Sequence, residues 1–136
     1  MSPDEKDTEL AIFRLKQAQE SLDEANLLLK SKKSPRSVIN RAYYAMFYSV
    51  LALLAFENFS TSKHSGVISY FNKRFIKEGL LPKKLSTAIG GAFDLRQFGD
   101  YREFSEISHS EVKPYISQAE EFIKKVTAYL EQKGLI

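Results

Sequence analysis

Along this chain, apolar residues return every three or four positions within long segments separated by short polar breaks, a pattern that predicts helices and no strand. The first segment, from about Pro3 to Lys30, sets Leu15, Ala18, Leu22, Ala25 and Leu29 at 3,4,3,4 spacing, the seam of a helix in a bundle. Lys-Ser-Lys-Lys-Ser-Pro at 30–35 ends it. Pro35 disfavours helix at Ser34, which is suited to cap a second helix with Pro35 at its first position. From Val38 to Phe56 the chain is apolar around most of its circumference, so this helix is expected to be buried on nearly all sides. A third helix, capped by Thr61 or Ser62, carries Val67, Ile68, Phe71, Phe75 and Ile76 on one side and ends at Gly79.

Pro82 opens a fourth helix with Leu85, Ala88, Ile89, Ala92 and Phe93 as its apolar face; Gly90-Gly91 in its middle predicts close approach of a neighbouring backbone. Ser108-His-Ser-Glu111 has the form of a capping box, with Ser110 an alternative cap, and Pro114 must lie near the start of the helix it opens. This last helix repeats Val112, Ile116, Ala119, Ile123, Val126 and Leu130 at 4,3,4,3,4 spacing and ends near Gly134. The expected fold is all-α, an up-and-down bundle of about five helices forming a single domain over residues 1–136. Tyr115, Phe122 and Tyr129 recur every seven residues beside the last seam; they suit either a partner surface, such as a homodimer interface, or a wide core face.

Polar residues inside the apolar second segment point to chemistry. Asn40, Tyr44 and Tyr48 fall along one helix face, with Arg41 beside them. An unpaired buried amide or hydroxyl costs roughly 1–3 kcal/mol, so these groups either lace the bundle together or line a polar site. His64, in Ser62-Lys63-His64-Ser65-Gly66, sits at or near a helix start, where free N–H groups attract an anion and the dipole keeps an imidazole neutral. Its plain alternative is a histidine that caps or packs. Arg96 follows Phe93 by three on the apolar face, so it is expected to point inward toward Asn40, Tyr44 or Asp100, or to hold a phosphate. On one continuous helix Arg102 and His109 would share a face about 10 Å apart along the axis, but Ser105 and Ser108 predict a break between them.

Composition narrows the classes. The 136 residues carry a formal charge of +3 and a pI near 9.0, a mild basic excess compatible with a nucleic-acid partner. With no cysteine, disulfides, thiol nucleophiles and Cys-ligated zinc are excluded, and with two histidines no metal or other cofactor is expected. The amino terminus is acidic where a signal peptide is basic and then apolar. Arg41 within the Val38–Phe56 run would cost about 2.5 kcal/mol at mid-membrane, so the expectation is a cytoplasmic protein with no membrane partner.

Three stretches in order, Asn40-Arg41-Ala-Tyr-Tyr-Ala-Met-Phe-Tyr48, Ser62-Lys63-His64-Ser65-Gly66-Val67-Ile68, and Ala92-Phe93-Asp94-Leu95-Arg96 through Asp100-Tyr101, resemble the small stand-alone branch of the HEPN-domain superfamily, over roughly residues 8–130. The resemblance implies a helical bundle that dimerises. It also implies a toxin of a toxin–antitoxin or phage-defence system, acting as a metal-independent RNase beside a minimal nucleotidyltransferase antitoxin. Active members of that superfamily carry an arginine followed, after four to six residues, by a histidine. Arg96 matches the arginine in its Leu-Arg context, but Asp100 and Tyr101 stand where the histidine belongs. Arg102 with His109 meets the spacing downstream. Glu103 stands where some HEPN toxins carry a modified tyrosine, so that modification is not implied.

The resulting expectations are Arg96 as the phosphate-gripping residue with His64 or His109 as acid/base, and Asn40, Arg41, Tyr44, Lys63, Asp100, Tyr101 and Arg102 as RNA- or nucleotide-binding residues. A second reading is a non-catalytic module that binds a nucleotide, RNA or a nucleotidyltransferase partner. A third is a purely structural homodimer.

Overall fold

The structure, a computed structural model, describes residues 4–101 and 107–136, the side chains of 98–101 excepted. Five α-helices run α1 (Glu5–Lys30), α2 (Pro35–Leu54), α3 (His64–Phe71), α4 (Lys83–Tyr101) and α5 (His109–Gln132), and no strand occurs among the described residues. Asp4 starts α1 by accepting the Lys6 N–H at 2.8 Å. The helix ends in a Schellman turn: Lys33 N–H donates to the Leu28 carbonyl at 2.9 Å and Lys32 N–H to Leu29 at 3.1 Å. The left-handed position of that turn, φ 54°, is filled by Lys32 rather than glycine.

Pro35 takes the first position of α2, as its fixed φ favours, although the Ser34 side chain makes no capping bond. Helix α2 is the centre of the bundle, packed by all four other helices. Val38, Ile39, Ala42, Tyr43, Ala45, Met46, Val50, Ala52 and Leu53 are almost wholly removed from solvent. Buried Ser49 donates to the Ala45 carbonyl at 2.8 Å, which satisfies its hydroxyl within the helix. Helix α3 begins at His64 after Lys63, without a side-chain cap; Thr61 instead accepts the Lys63 N–H at 3.3 Å. It widens into a π-helical turn, Asn72–Ile76, and the chain leaves through Gly79 at φ 77°. Before α5, Ser108 and Glu111 form both halves of the capping box. That fixes the boundary, so Pro114 lies inside the helix.

One expectation changes. The glycine pair does not admit a neighbouring backbone: a Cβ on Gly91 would lie 2.6 Å from the Tyr115 hydroxyl, whereas Gly90 has nothing within 4 Å. Gly91 is therefore there for an aromatic side chain. Gly90→Ala is expected to stabilise the fold by about 1 kcal/mol through helix propensity, while Gly91→Ala is expected to destabilise it by about 1–3 kcal/mol through overpacking. Urea midpoints of the two variants moving in the same direction would contradict this packing. Of the two readings of the α5 aromatic series, the packing supports the wide core face, with Tyr115 and Tyr129 partly buried against the core. Phe122 is fully buried against Phe71 with ring centroids 5.5 Å apart, and Tyr129 meets Phe75 edge-on at 5.8 Å. Among the described residues, no helix is long and apolar enough to cross a membrane and no group of acidic or histidine side chains could hold a metal ion.

Candidate functional site

Helices α2, α3 and α4 meet around the Tyr43 ring. Tyr43 is 0% exposed, and its hydroxyl lies 2.9 Å from His64 Nδ1. The His64 ring is held flat on Phe47, with centroids 4.1 Å apart and planes 19° apart. From α4, the Arg96 guanidinium lies 5.2 Å over Tyr43 and 5.3 Å over Tyr44, the quadrupole-favoured place for a cation. Arg96 Nε is buried without a hydrogen-bond partner, and the side chain makes no ion pair among the described residues. Tyr44, Lys63, His64, Ser65, Phe93, Arg96 and Gln97 line an open cleft of about 570 Å³.

The link before α3 holds that helix, and so His64, in place. Tyr70 donates to Glu57 Oε1 at 2.8 Å, Arg74 Nε donates to the same oxygen at 3.0 Å, and Phe59 stacks on Tyr70 at 4.0 Å. The Glu57 side chain is only 16% exposed, so this shared carboxylate ties the link to α3 more firmly than a solvated pair would.

The electrostatics arise from burial beside a cation. Removal from water, and then the positive Arg96, depress the His64 pKa below its ordinary value. Burial pushes the Tyr43 phenol well above its own range, opposed by Arg96 and reinforced by Tyr44, so it keeps its proton. Among the described residues His64 Nδ1 is the only acceptor for that proton. A buried hydroxyl left unpaired is costly, so Tyr43 donates and the neutral imidazole carries its own proton on Nε2. Because the folded pKa of His64 lies below the unfolded one, the unfolded chain takes up the extra proton. The resulting stabilisation is complete above about pH 6.5, the unfolded value, and is lost as pH falls from there toward the depressed folded value. His64→Gln is expected to flatten that part of the stability–pH curve relative to wild type, read from urea midpoints at pH 7.5 and 5. Identical curves would contradict the assignment.

The sequence-predicted residues whose side chains are described divide into three groups. Arg96, His64, Tyr44 and Lys63 share the cleft. Asn40 and Arg41 lie beside it: Asn40 Oδ1 accepts from Arg41 Nε at 3.1 Å and Nη2 at 2.8 Å, and Arg41 Nη1 is 3.6 Å from Glu24. These two line a neighbouring recess with Leu28, Arg36 and Ser37, joined to the cleft by Tyr44, over which Arg41 lies at 5.1 Å. His109 is in neither place; its Nε2 is 2.8 Å from the Lys33 carbonyl, and it lines a recess with Leu29, Lys32, Ser110 and Lys113. Arg102 and the side chains of Asp100 and Tyr101 lie outside the described residues. Sequence reasoning missed Tyr43, Phe47 and Gln97. The Tyr43 signal was present, since a tyrosine in a fully apolar run needs a partner for its hydroxyl.

Compared with known proteins, residues 11–131 match the HEPN domain family. The chain is a HEPN-domain protein. It is 42% identical to a Thermotoga maritima protein named "UPF0332 protein", over 85% of this chain and 87% of that one. Two Methanocaldococcus jannaschii proteins, each named "Putative toxin", are 34% and 33% identical over 90% and 85% of this HEPN chain, and over 82% and 84% of their own lengths. The all-α bundle is the fold of this family.

Proposed function

We propose that this HEPN protein is the toxin-like component of a toxin–antitoxin or defence system, acting as a metal-independent endoribonuclease in the Arg96–His64 cleft. The observation that carries the reading is Arg96: a guanidinium without an anionic partner among the described residues, laid on two tyrosines beside a neutral imidazole. RNA brings its own nucleophile. The 2′-hydroxyl attacks phosphorus and the P–O5′ bond breaks, leaving a 2′,3′-cyclic phosphate and a 5′-hydroxyl, with one proton lost at O2′ and one gained at O5′. Arg96 neutralises charge growing on the phosphoryl oxygens. His64 Nε2 faces the proton transfers as donor in the tautomer set by Tyr43, and as base in the other tautomer, with Nδ1–H donating to the Tyr43 oxygen. The working unit in this reading is a homodimer held in check by a minimal nucleotidyltransferase antitoxin, as the family resemblance implies; the names of the two archaeal relatives support the toxin part alone.

A second reading, binding of RNA or a nucleotide without cleavage, is favoured by the same Tyr43–His64 bond, because the resting tautomer offers the cleft a donor rather than a base. Incubating RNA with the purified chain in EDTA separates the two. Cleavage that disappears in Arg96→Ala supports the nuclease. Arg96-dependent binding without cleavage by wild type supports the second reading, and indifference of both to Arg96 rejects both.

A further inference from the structure

Positive groups continue past the cleft. The Tyr44 ring is shared by Arg96 and Arg41, and Arg41 opens onto the next recess, of about 430 Å³, with Arg36, Ser37 and Asn40. Beyond it, in the link that precedes α2, come Lys32 and Lys33. Lys32 lines a third recess, of about 410 Å³, with His109 and Lys113. Lys32, Lys33 and Lys113 are exposed and make no ion pair among the described residues. The link is held rigidly in place, by the two Schellman bonds at the end of α1 and by His109 Nε2 on the Lys33 carbonyl from α5. A lysine also occupies the left-handed position where glycine is free of strain, so a cation is kept there against the backbone preference. Glu24 touches Arg41 at 3.6 Å and is 57% exposed, a loose pair that a phosphate can displace, and Glu120 shares a surface recess with Lys113.

We infer that this row, from the Tyr44–Arg96 cleft through Arg41 to Lys32, Lys33 and Lys113, is a track for the backbone of single-stranded RNA several nucleotides long. It rests on the RNA reading of the cleft and extends it from one phosphate to a strand. From Pro35 to Tyr44 the helix rises about 14 Å at 1.5 Å per residue. At about 3.4 Å per phosphate in a stacked strand, that length takes about four phosphates beyond the one at Arg96. His109 and the Asn40–Arg41 pair, which the cleft itself leaves out, become supports of the track: His109 pins its basic link, and Asn40 orients the Arg41 fork.

The test compares wild type, the triple variant Lys32→Gln/Lys33→Gln/Lys113→Gln, and Arg96→Ala, binding a labelled oligouridylate of about ten nucleotides and a diuridylate across a salt series. Each single-strand phosphate contact contributes about 0.7 to the slope of log affinity against log salt. The triple variant is therefore expected to lower the ten-mer slope by about 2 and ten-mer affinity by about tenfold or more at low salt, with diuridylate binding unchanged. Circular dichroism checks that all three chains are folded. A ten-mer slope unchanged in a folded triple variant overturns the track even if Arg96→Ala weakens diuridylate binding; the lysine row would then belong to a protein partner. Diuridylate binding indifferent to Arg96→Ala overturns the reading of the cleft instead, and a wild-type chain that binds neither RNA overturns both.

Discussion

Arg96→Ala is expected to reduce RNA cleavage about 10²–10³-fold, the usual consequence of removing one preorganised donor to a developing negative charge. The same change is expected to cost little stability. Breaking a buried ion pair costs about 3–5 kcal/mol because the abandoned partner stays charged and dry, but Arg96 leaves no such partner among the described residues. Its loss forfeits the placement over Tyr43 and Tyr44, about 0.5–2 kcal/mol of cation–π attraction. Activity and stability therefore separate, as they would not for a residue that merely laces the bundle. Arg96→Lys should fall between, since it keeps the charge and loses the planar fork that spans two phosphoryl oxygens. Initial cleavage rates in EDTA, set beside urea midpoints, give both quantities. A rate within about threefold of wild type, or a large loss of stability with no specific loss of rate, would reject the assignment.

Phe122→Ala has the opposite profile. Phe122, on α5, is wholly buried against Phe71, so truncation leaves a cavity and forfeits the transfer of a large ring, about 3–5 kcal/mol. For a domain whose total stability is about 5–15 kcal/mol, that brings it close to unfolding at ordinary temperature. Had the Tyr115–Phe122–Tyr129 series been a partner surface, the same variant would have changed assembly and left the fold of the chain intact. Denaturant midpoint and size-exclusion elution of the purified variant distinguish the two outcomes directly.

The helices were readable from sequence because burial and local propensity agree. The α5 repeat from Val112 to Leu130 is buried at every position, and the Ser108–Glu111 box sits where its chemistry demands. Reading failed where a feature depends on the group packed across from it. Gly90 and Gly91 are identical in sequence, yet only one faces Tyr115. The α5 aromatics could be assigned to core or surface only once Phe71 and Phe75 were in place. The inward direction of Arg96 was legible from its offset to Phe93, and Tyr44 was among the partners that spacing suggested; Tyr43, the second ring under the guanidinium, was not. His64 was visible as a polar residue near a helix start. Its bond to Tyr43 spans 21 residues of sequence and leaves no local trace. Asn40 and Arg41 satisfy one another from adjacent positions, so the pair that stood out most in the sequence is the one least committed to the cleft.

The wide π-helical turn at Asn72–Ile76 has a bearing on how far this chain tolerates insertions and deletions. Ahead of it, His64 is keyed to Tyr43 and Phe47; within it, Arg74 is keyed to Glu57 and Phe75 to Tyr129. Two docking phases that an unbroken α-helix would not reconcile are matched by the slack of a single wider loop of backbone. Removing one residue there would turn the leading end by about 100° against the trailing end, so the length of this short stretch is under tighter constraint than the identity of its exposed side chains.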